Sequence, residues 1–176
     1  DSAEITAKDQ NDIITVSGAL AYGGKAGIGA GVVVNVVDSE TSAYMSDSDL
    51  VAASDVVLLA DSDVDIVAIA AALGVSKDTM AAAAGVGVNI ITHTTTAHIT
   101  GKASYGVDAA GTVHVAAEND SELVLVSGGV GISAKAQAGI GLGASVIDKH
   151  STTSAYIGED AKVSGRGTAG SGLAVT

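Results

Sequence analysis

The stretch that decides the fold is GIGAGVVVNVVDSETSAY, residues 27–44. Alternate glycines followed by valines are compatible with either a phosphate-binding loop or a tightly packed strand of a repetitive protein. A dinucleotide-binding loop needs the spacing G-x-G-x-x-G between a strand and a helix. Here the spacing is G-x-G-x-G, and the valines that follow favour a strand. The sequence therefore predicts glycines that allow close packing rather than a nucleotide site.

The same stretch recurs twice further along the chain. Residues 81–99 and 139–157 align with 27–45, and each copy ends in a similar Thr/Ser-rich segment. The segment before it recurs as well, at 11–29, 64–85 and 121–141. The repeat length is therefore roughly 55 residues, and a long repeat of this kind is typical of solenoids.

We therefore expect one solenoid segment over residues 1–176 that was cut from a longer array. Its parts are a partial repeat 1–26, two repeats 27–80 and 81–138, and a partial repeat 139–176. The opening DSAEITAKDQ has neither the basic nor the apolar region of a signal peptide, so we expect the chain to begin either after one or in the middle of a longer protein.

Within each repeat, apolar residues alternate with polar ones, which predicts β-strands. Ser, Asp, Asn and Gly interrupt the alternation, so we expect strands of about 4 to 7 residues. The Ala-rich segment 69–85 aligns with a glycine-rich copy and is therefore also interpreted as strand. These features predict an all-β fold, a parallel β-helix (β-solenoid) with rungs of roughly 18 to 20 residues. The chain would then form roughly nine rungs over about 40 Å, with open edges that favour end-to-end association.

Composition agrees with uniform layers. The chain has 23 Gly, no Pro, Cys, Trp or Phe, and 47% hydrophobic residues that are nearly all aliphatic. The absence of Pro suits a structure in which almost every backbone N–H belongs to a ladder. The net charge of −12 argues against nucleic acid, because phosphate binding needs clustered Lys and Arg. Acidity and the lack of an apolar run of about 18 residues also predict no membrane insertion.

Three aspartates, Asp61, Asp63 and Asp65, lie at alternate positions. Their spacing resembles the start of a calcium-binding loop, but the required Gly and Glu are replaced by Ile66 and Ala72. On a strand they form one outward acidic row, which is either a solvated face or a loose Ca²⁺ site. The sequence leaves these two interpretations open.

Three of the histidines occupy positions at which the other repeats have different residue types. His93 occupies the position of Ser39 and Ser151; likewise His98 occupies the position of Tyr44 and Tyr156, and His150 that of Asp38 and Thr92. A metal ligand or general base needs a fixed set of partners. His114 lies between two valines and is expected to face solvent. We therefore predict no enzyme activity, no catalytic or metal-binding residue and no cofactor.

Thr- and Ser-rich segments occupy equivalent positions in the three repeats, at 40–43, 94–97 and 152–155. They predict a hydroxyl ladder along one face, with Asn35 and Asn89 stacked as an amide ladder at a turn. A flat polar stripe that contacts a partner is the alternative interpretation of the same residues.

The repeats NVVDSETSAYM, NIITHTTTAHI and VIDKHSTTSAYI, joined by stretches such as SELVLVSGGVGISAKAQAGIG, resemble the passenger regions of leukotoxin-like filamentous adhesins. These are bacterial surface proteins of the type V secretion class (autotransporter or two-partner), akin to filamentous haemagglutinin. The resemblance implies a right-handed parallel β-helix, secretion to the bacterial cell surface by an outer-membrane-anchored parent protein, and a role in virulence. It carries no catalytic residues.

The expected function is therefore a non-enzymatic, adhesive segment of a secreted surface fibre. It would act as a stiff spacer that presents a surface to a host-cell receptor or matrix. The alternative is a structural protein that self-assembles into a filament or surface layer.

Overall fold

The structure is a computed structural model that describes residues 1–102, 105–135, 138–167 and 172–176. Within these ranges the chain forms ten strands and no helix, which confirms the all-β prediction. The strands are β1 (Ala3–Gly23), β2 (Ala26–Ser46), β3 (Leu50–Ala52), β4 (Val56–Ser76), β5 (Met80–Thr100), β6 (Gly106–Ala109), β7 (Val113–Ser133), β8 (Ala138–Ile157), β9 (Lys162–Gly165) and β10 (Leu173–Val175).

The strands form three parallel sheets, which confirms a β-helix. The sheets have the orders β1-β4-β7-β10, β2-β5-β8 and β3-β6-β9, so consecutive strands belong to different sheets. Residue 31 pairs with residue 85, and residue 85 with residue 143, as in the repeat alignment. At such positions like residues stack on one another along the axis of the β-helix.

The prediction of short rungs, and with it the count of nine rungs, is wrong. Asn35 lies beside Asn89 and Thr96 beside Ser154, at separations of 54 and 58 residues, so one whole repeat forms one turn. The described strands complete three turns, which extend about 10 Å along the axis rather than about 40 Å. The prediction failed because it took short polar interruptions for turns.

The predicted strand lengths are wrong for the same reason. Each of β1, β2, β4, β5 and β7 has 21 residues, and the run Asp61–Asp65 lies within β4. Once neighbouring turns pair in register, ladder hydrogen bonds hold a polar or glycine residue in the strand despite its low propensity. The Ala-rich segment 69–85 is strand on both sides of a tight turn, as predicted.

Each turn has two halves of different construction. We call residues 14–36, 67–90, 124–135 and 138–148 the hairpin half, and the remaining strand residues the base half. In the base half the third, short sheet closes the side of the stack. Inward aliphatic residues fill this half, and they include Val56, Leu58, Val113 and Val115, each fully buried.

In the hairpin half only two sheets face each other, and small residues separate them. All inward positions from 17 to 31, 70 to 85, and 127 to 143 in the described chain are Gly, Ala or Ser. A Cβ added at Gly31 would lie 2.5 Å from the carbonyl oxygen of Ala71 on the facing strand. Glycine is required there because the two backbones approach too closely for a side chain.

Candidate functional site

The glycines of the opening stretch take no part in a binding loop. Gly27, Gly29 and Gly31 lie inside β2, are buried, and face the backbone of β4. No helix follows them in the described chain, so the nucleotide interpretation is excluded by the local fold. The polar end of the stretch is strand as well, with Asp38 and Glu40 outward and Thr41 buried.

The acidic row lies on the outward face of the sheet formed by β1, β4 and β7. Asp61, Asp63 and Asp65 pair in register with Glu118, Asp120 and Glu122 of the next turn. Lys8 of the first turn donates a 2.9 Å hydrogen bond to Asp61. Within the described residues, no three His, Asp or Glu side chains are grouped closely enough to hold a metal ion.

Crowding of carboxylates changes their protonation. Partial burial, and then the negative charges of Asp65, Asp120 and Asp12, raise the pKa of Asp63, while Lys8 acts in the opposite direction. The hydrogen bond and charge of Asp61 raise the pKa of Lys8. The row is therefore a region of mutual repulsion that a single lysine partly neutralises.

His93 is the one histidine that the described core encloses. Its ring is 1% exposed, and neither ring nitrogen has a hydrogen-bond partner among the described residues. Burial first, and then the positive charge of Lys149, lower its pKa, whereas Asp9 and Asp38 act in the opposite direction. A neutral imidazole therefore fills an inward position that serines occupy in the neighbouring turns.

Two other histidines lie on the surface. His150 lies 3.2 Å from Asp148 on the same outward face of β8. His114 is partly exposed on β7 and contacts the hydroxyl of Thr176. Neither residue lies near a second histidine in the contacts that the structure describes. Arg166 pairs with Asp108 on the neighbouring turn, which gives it a structural role.

Aromatic rings form a ladder on the outward face of β2, β5 and β8. The ring of His98 stacks on Tyr44 at 5.4 Å and on Tyr156 at 5.0 Å, with interplanar angles of 10° and 3°. The repeat alignment placed these three residues at one position, and that was the signal for the ladder. Stacked rings of this kind stabilise neighbouring turns by about 0.5–1.5 kcal/mol per pair.

A second ladder is buried between the sheets. The side-chain amide of Asn35 donates a 2.8 Å hydrogen bond to Asn89 and accepts one of 2.8 Å from Thr15. The predicted amide ladder is therefore present, but it lies in mid-strand rather than at a turn. The hydroxyl-rich segments divide between the faces, since Thr95 is buried and Thr96 contacts Ser154 on the outside.

Sequence reasoning missed one large surface feature. The outward face of β1, β4 and β7 in the hairpin half carries fifteen residues without a charged side chain. We call this surface the apolar band, and it consists of Ile14, Val16, Gly18, Leu20, Tyr22, Val67, Ile69, Ala71, Leu73, Val75, Val124, Val126, Gly128, Val130 and Ile132. Leu20 is 74% exposed, so large aliphatic side chains of this half lie on the outside. The outer side of the facing sheet β2-β5-β8 is also apolar, from the row of Ala26 to the row of Val34, and Asp148 lies in the next row.

The first turn is open at its free side. A groove of about 780 Å³ lies between β1 and β2 and is lined by inward side chains such as Asn11, Ile13 and Thr41.

The described residues contain no helix that is long and apolar enough to cross a membrane. No protein-family model, curated protein or solved structure matches this chain.

Proposed function

We propose that this chain is a non-enzymatic, adhesive segment of a secreted bacterial surface fibre. It acts as a stiff spacer and presents its outward faces to host cells. The observation that carries the proposal is the in-register pairing of whole repeats over three turns, with like residues stacked in rows such as Gly31, Gly85 and Gly143. Such a stack lengthens by adding turns and keeps the same side faces, as a fibre requires.

The distribution of polar groups supports a surface role. Acidic, hydroxyl and aromatic side chains form rows that continue from turn to turn, as in the ladder Tyr44–His98–Tyr156. A catalytic centre needs a fixed set of converging groups, whereas a continuous row repeats the same contact along the axis. Many weak, repeated contacts suit adhesion, because linked contacts raise the overall affinity.

Secretion to the cell surface and a host receptor or matrix as partner follow from the resemblance to leukotoxin-like and filamentous-haemagglutinin-like passengers. The acidic, cysteine-free composition is compatible with export. The direct test is binding of the labelled chain to cultured epithelial cells and to immobilised matrix proteins.

We expect saturable binding that competes with the unlabelled chain. As a matched pair, Tyr44→Ser/Tyr156→Ser removes the outward aromatic ladder, and Thr96→Ala/Ser154→Ala alters the adjacent outward hydroxyl pair. A loss of binding in either variant would identify the contact row. Binding no greater than that of an unrelated acidic protein would contradict the adhesive role.

End-to-end assembly is the second candidate, favoured by the open groove at the first turn and by the edge strand β8, which lacks a following turn in the described chain. Heterologous contacts between opposite ends do not close and give an open series of oligomers. Light scattering over a concentration series tests this, because a growing mean mass is expected. A mass that stays at that of the monomer, or stops at the dimer, would contradict it.

A further inference from the structure

Charged residues border the apolar band at both of its ends. Beyond its base end lies a row of three acidic residues in register, Asp12, Asp65 and Glu122. Beyond its other end lie Lys25, Lys77 and Lys135, one lysine for each turn. Asp78 follows Lys77 and its carboxylate pairs with Lys135 at 2.8 Å, so three lysines and one aspartate leave this edge with a net charge of +2. Both rows therefore repeat once per turn, with opposite sign and with only uncharged residues between them.

The two charged rows are nearly equidistant from the middle of the band. Its central row is Gly18, Ala71 and Gly128. In the first turn, Asp12 lies six residues before Gly18 and Lys25 lies seven residues after it. The mismatch of one residue is about 3.3 Å, which a lysine side chain spans easily. If a second copy is placed on the band with its strands antiparallel, the lysine row of each copy therefore meets the acidic row of the other.

The central row also gives the band a complementary shape. A Cβ at Gly128 would meet no atom within 4 Å, and a Cβ at Gly18 would meet only the Ala71 carbonyl oxygen at 4.0 Å. The fold of a single chain therefore does not require glycine at these two positions. The row forms a shallow groove beside the ridge of Leu20, Leu73 and Val130. With the two-fold axis midway between the groove row and the ridge row, the ridge of one copy fits the groove of the other, and each lysine lies one or two residues from the opposing acidic row.

We propose that the apolar band is the interface of a two-fold symmetric dimer of this chain, with the two stacks side by side and their axes parallel. The interface is isologous, so the same residues of both copies meet. Along each strand the band covers four steps of two residues, and across the sheet it covers three strands. These dimensions give roughly 400 Å² of flat surface per copy. Stable interfaces bury about 800 Å² per partner, so three turns give a weak, reversible dimer that strengthens with each added turn.

The charges favour this face over the other apolar face. On β2, β5 and β8 the acidic residues at this border are Asp38 and Asp148, which lie in different register rows, and β5 contributes Ile90 and Thr92 there. The band is therefore the face on which every turn offers the lysines an acidic partner in a single register row. A lipid surface would contact both faces alike and would not depend on the acidic row.

Sedimentation velocity of the full chain between about 10 µM and about 1 mM tests the proposal. We expect a monomer–dimer equilibrium that weakens as salt is raised, because the ion pairs at the rim are screened. Val16→Lys/Val126→Lys in the band is expected to weaken the dimer at least tenfold. The matched control is Val34→Lys/Val146→Lys on the other face, where the valines are similarly exposed (59% and 55%, against 67% and 54% in the band). This control should leave the dimer unchanged.

A charge exchange tests the antiparallel orientation. Replacing Lys25, Lys77 and Lys135 with Glu should weaken the dimer, and adding Asp12→Lys, Asp65→Lys and Glu122→Lys should restore it. Replacing Lys102, Lys149 and Lys162 with Glu changes the net charge equally and should have a smaller effect. Equal loss from both lysine triplets, or no restoration, would overturn the proposal.

Three further outcomes would also overturn it: a monomer throughout the concentration range, an open series of oligomers, or a dimer that the control pair weakens equally. Flotation with zwitterionic phosphatidylcholine vesicles separates a lipid-binding surface from a protein interface. Binding to vesicles that both valine pairs abolish equally, without a dimer in solution, would assign the band to lipid.

Discussion

The base half and the hairpin half of each turn use the same backbone pairing with opposite side-chain arrangements. In the base half, large aliphatic residues point inward and charged residues point outward, as Leu58 and Asp61 show. In the inner part of the hairpin half, at positions 17–31 and their register partners, the inward residues are Gly, Ala and Ser, and residues such as Leu20 point outward. Backbone hydrogen bonding between neighbouring turns is therefore sufficient to specify a strand, whether its apolar side chains point inward or outward.

The two halves contribute differently to stability. Burial of apolar surface stabilises a fold by about 25 cal/mol per Å², and the base half buries most of its aliphatic surface. The hairpin half leaves much of its aliphatic surface exposed, so its stability comes from backbone hydrogen bonds and from contact between two closely spaced sheets. Its exposed surface is available for an intermolecular contact.

The largest expected effect compares one leucine from each half. Leu58→Ala in the base half should lower the free energy of unfolding by about 2–5 kcal/mol, because it leaves a cavity in a closed core. Leu20→Ala in the hairpin half should change it by less than about 0.5 kcal/mol in dilute monomer. Urea denaturation at low protein concentration measures both. Equal effects would show that the two halves are built alike.

A pair of glycines tests the close approach of the two sheets. Gly85→Ala should destabilise the fold by about 1–3 kcal/mol, because the new Cβ would lie 2.5 Å from the Gly128 carbonyl oxygen of the facing strand. Gly128→Ala is the matched control, since its Cβ would point into open space. That change should be neutral or stabilise the strand by up to about 1 kcal/mol. Thermal melting measures the stability of both variants. An unchanged melting temperature for Gly85→Ala would mean that the two sheets are further apart than described here.

The buried amide ladder lies where the two halves meet. Asn89→Ala leaves the Asn35 amide without its acceptor, so a double-mutant cycle with Asn35→Ala should show a coupling of about 1 kcal/mol. The pair Asn11→Ala and Asn119→Ala provides a control, because these residues contact other partners. Additive effects at Asn35 and Asn89 would contradict the hydrogen bond.

The smallest expected effect is a pH dependence from His93. Its pKa in the fold is lower than the ordinary 6.5, so the unfolded chain binds the proton more tightly. The stability contribution of the neutral imidazole is complete above pH 6.5 and declines as the pH falls below it. His93→Ser, which copies Ser39 and Ser151, should therefore reduce the loss of melting temperature between about pH 7.5 and about pH 5.5. An identical pH profile for both proteins would mean that His93 is accessible to solvent.

Sequence reasoning predicted the parallel register because side chains that stack are of like kind, as at Asn35 and Asn89. It could not predict the turn length. Alternation with period two indicates which residues share a face of a strand, but it does not indicate where the strand ends. The segment Asp61–Asp65 remains part of β4 because strands of both neighbouring turns pair with it. The apolar band was also unpredictable, since both faces of this half contain apolar or small residues and only the close approach at Gly31 decides which points inward.

The candidate surfaces were partly predictable. Alternation placed the acidic row outward, and alignment placed Tyr44, His98 and Tyr156 at one position. The burial of His93 was not predictable, because its neighbours in register are serines that are equally compatible with a surface strand. Burial there depends on the facing sheet, which lies far away in sequence.

The central claim, that one whole repeat forms one turn, is tested most directly by paired spin labels. The chain has no native Cys, so Gln10→Cys/Asp63→Cys can be labelled cleanly. These residues are register partners on β1 and β4, about 4.8 Å apart, and should show strong dipolar broadening. The control Gln10→Cys/Ala30→Cys joins positions on different sheets, about 25 Å apart along the strands, and should show none. Broadening in the second pair and not in the first would contradict a turn of one whole repeat and would favour the shorter rungs of roughly 18 to 20 residues.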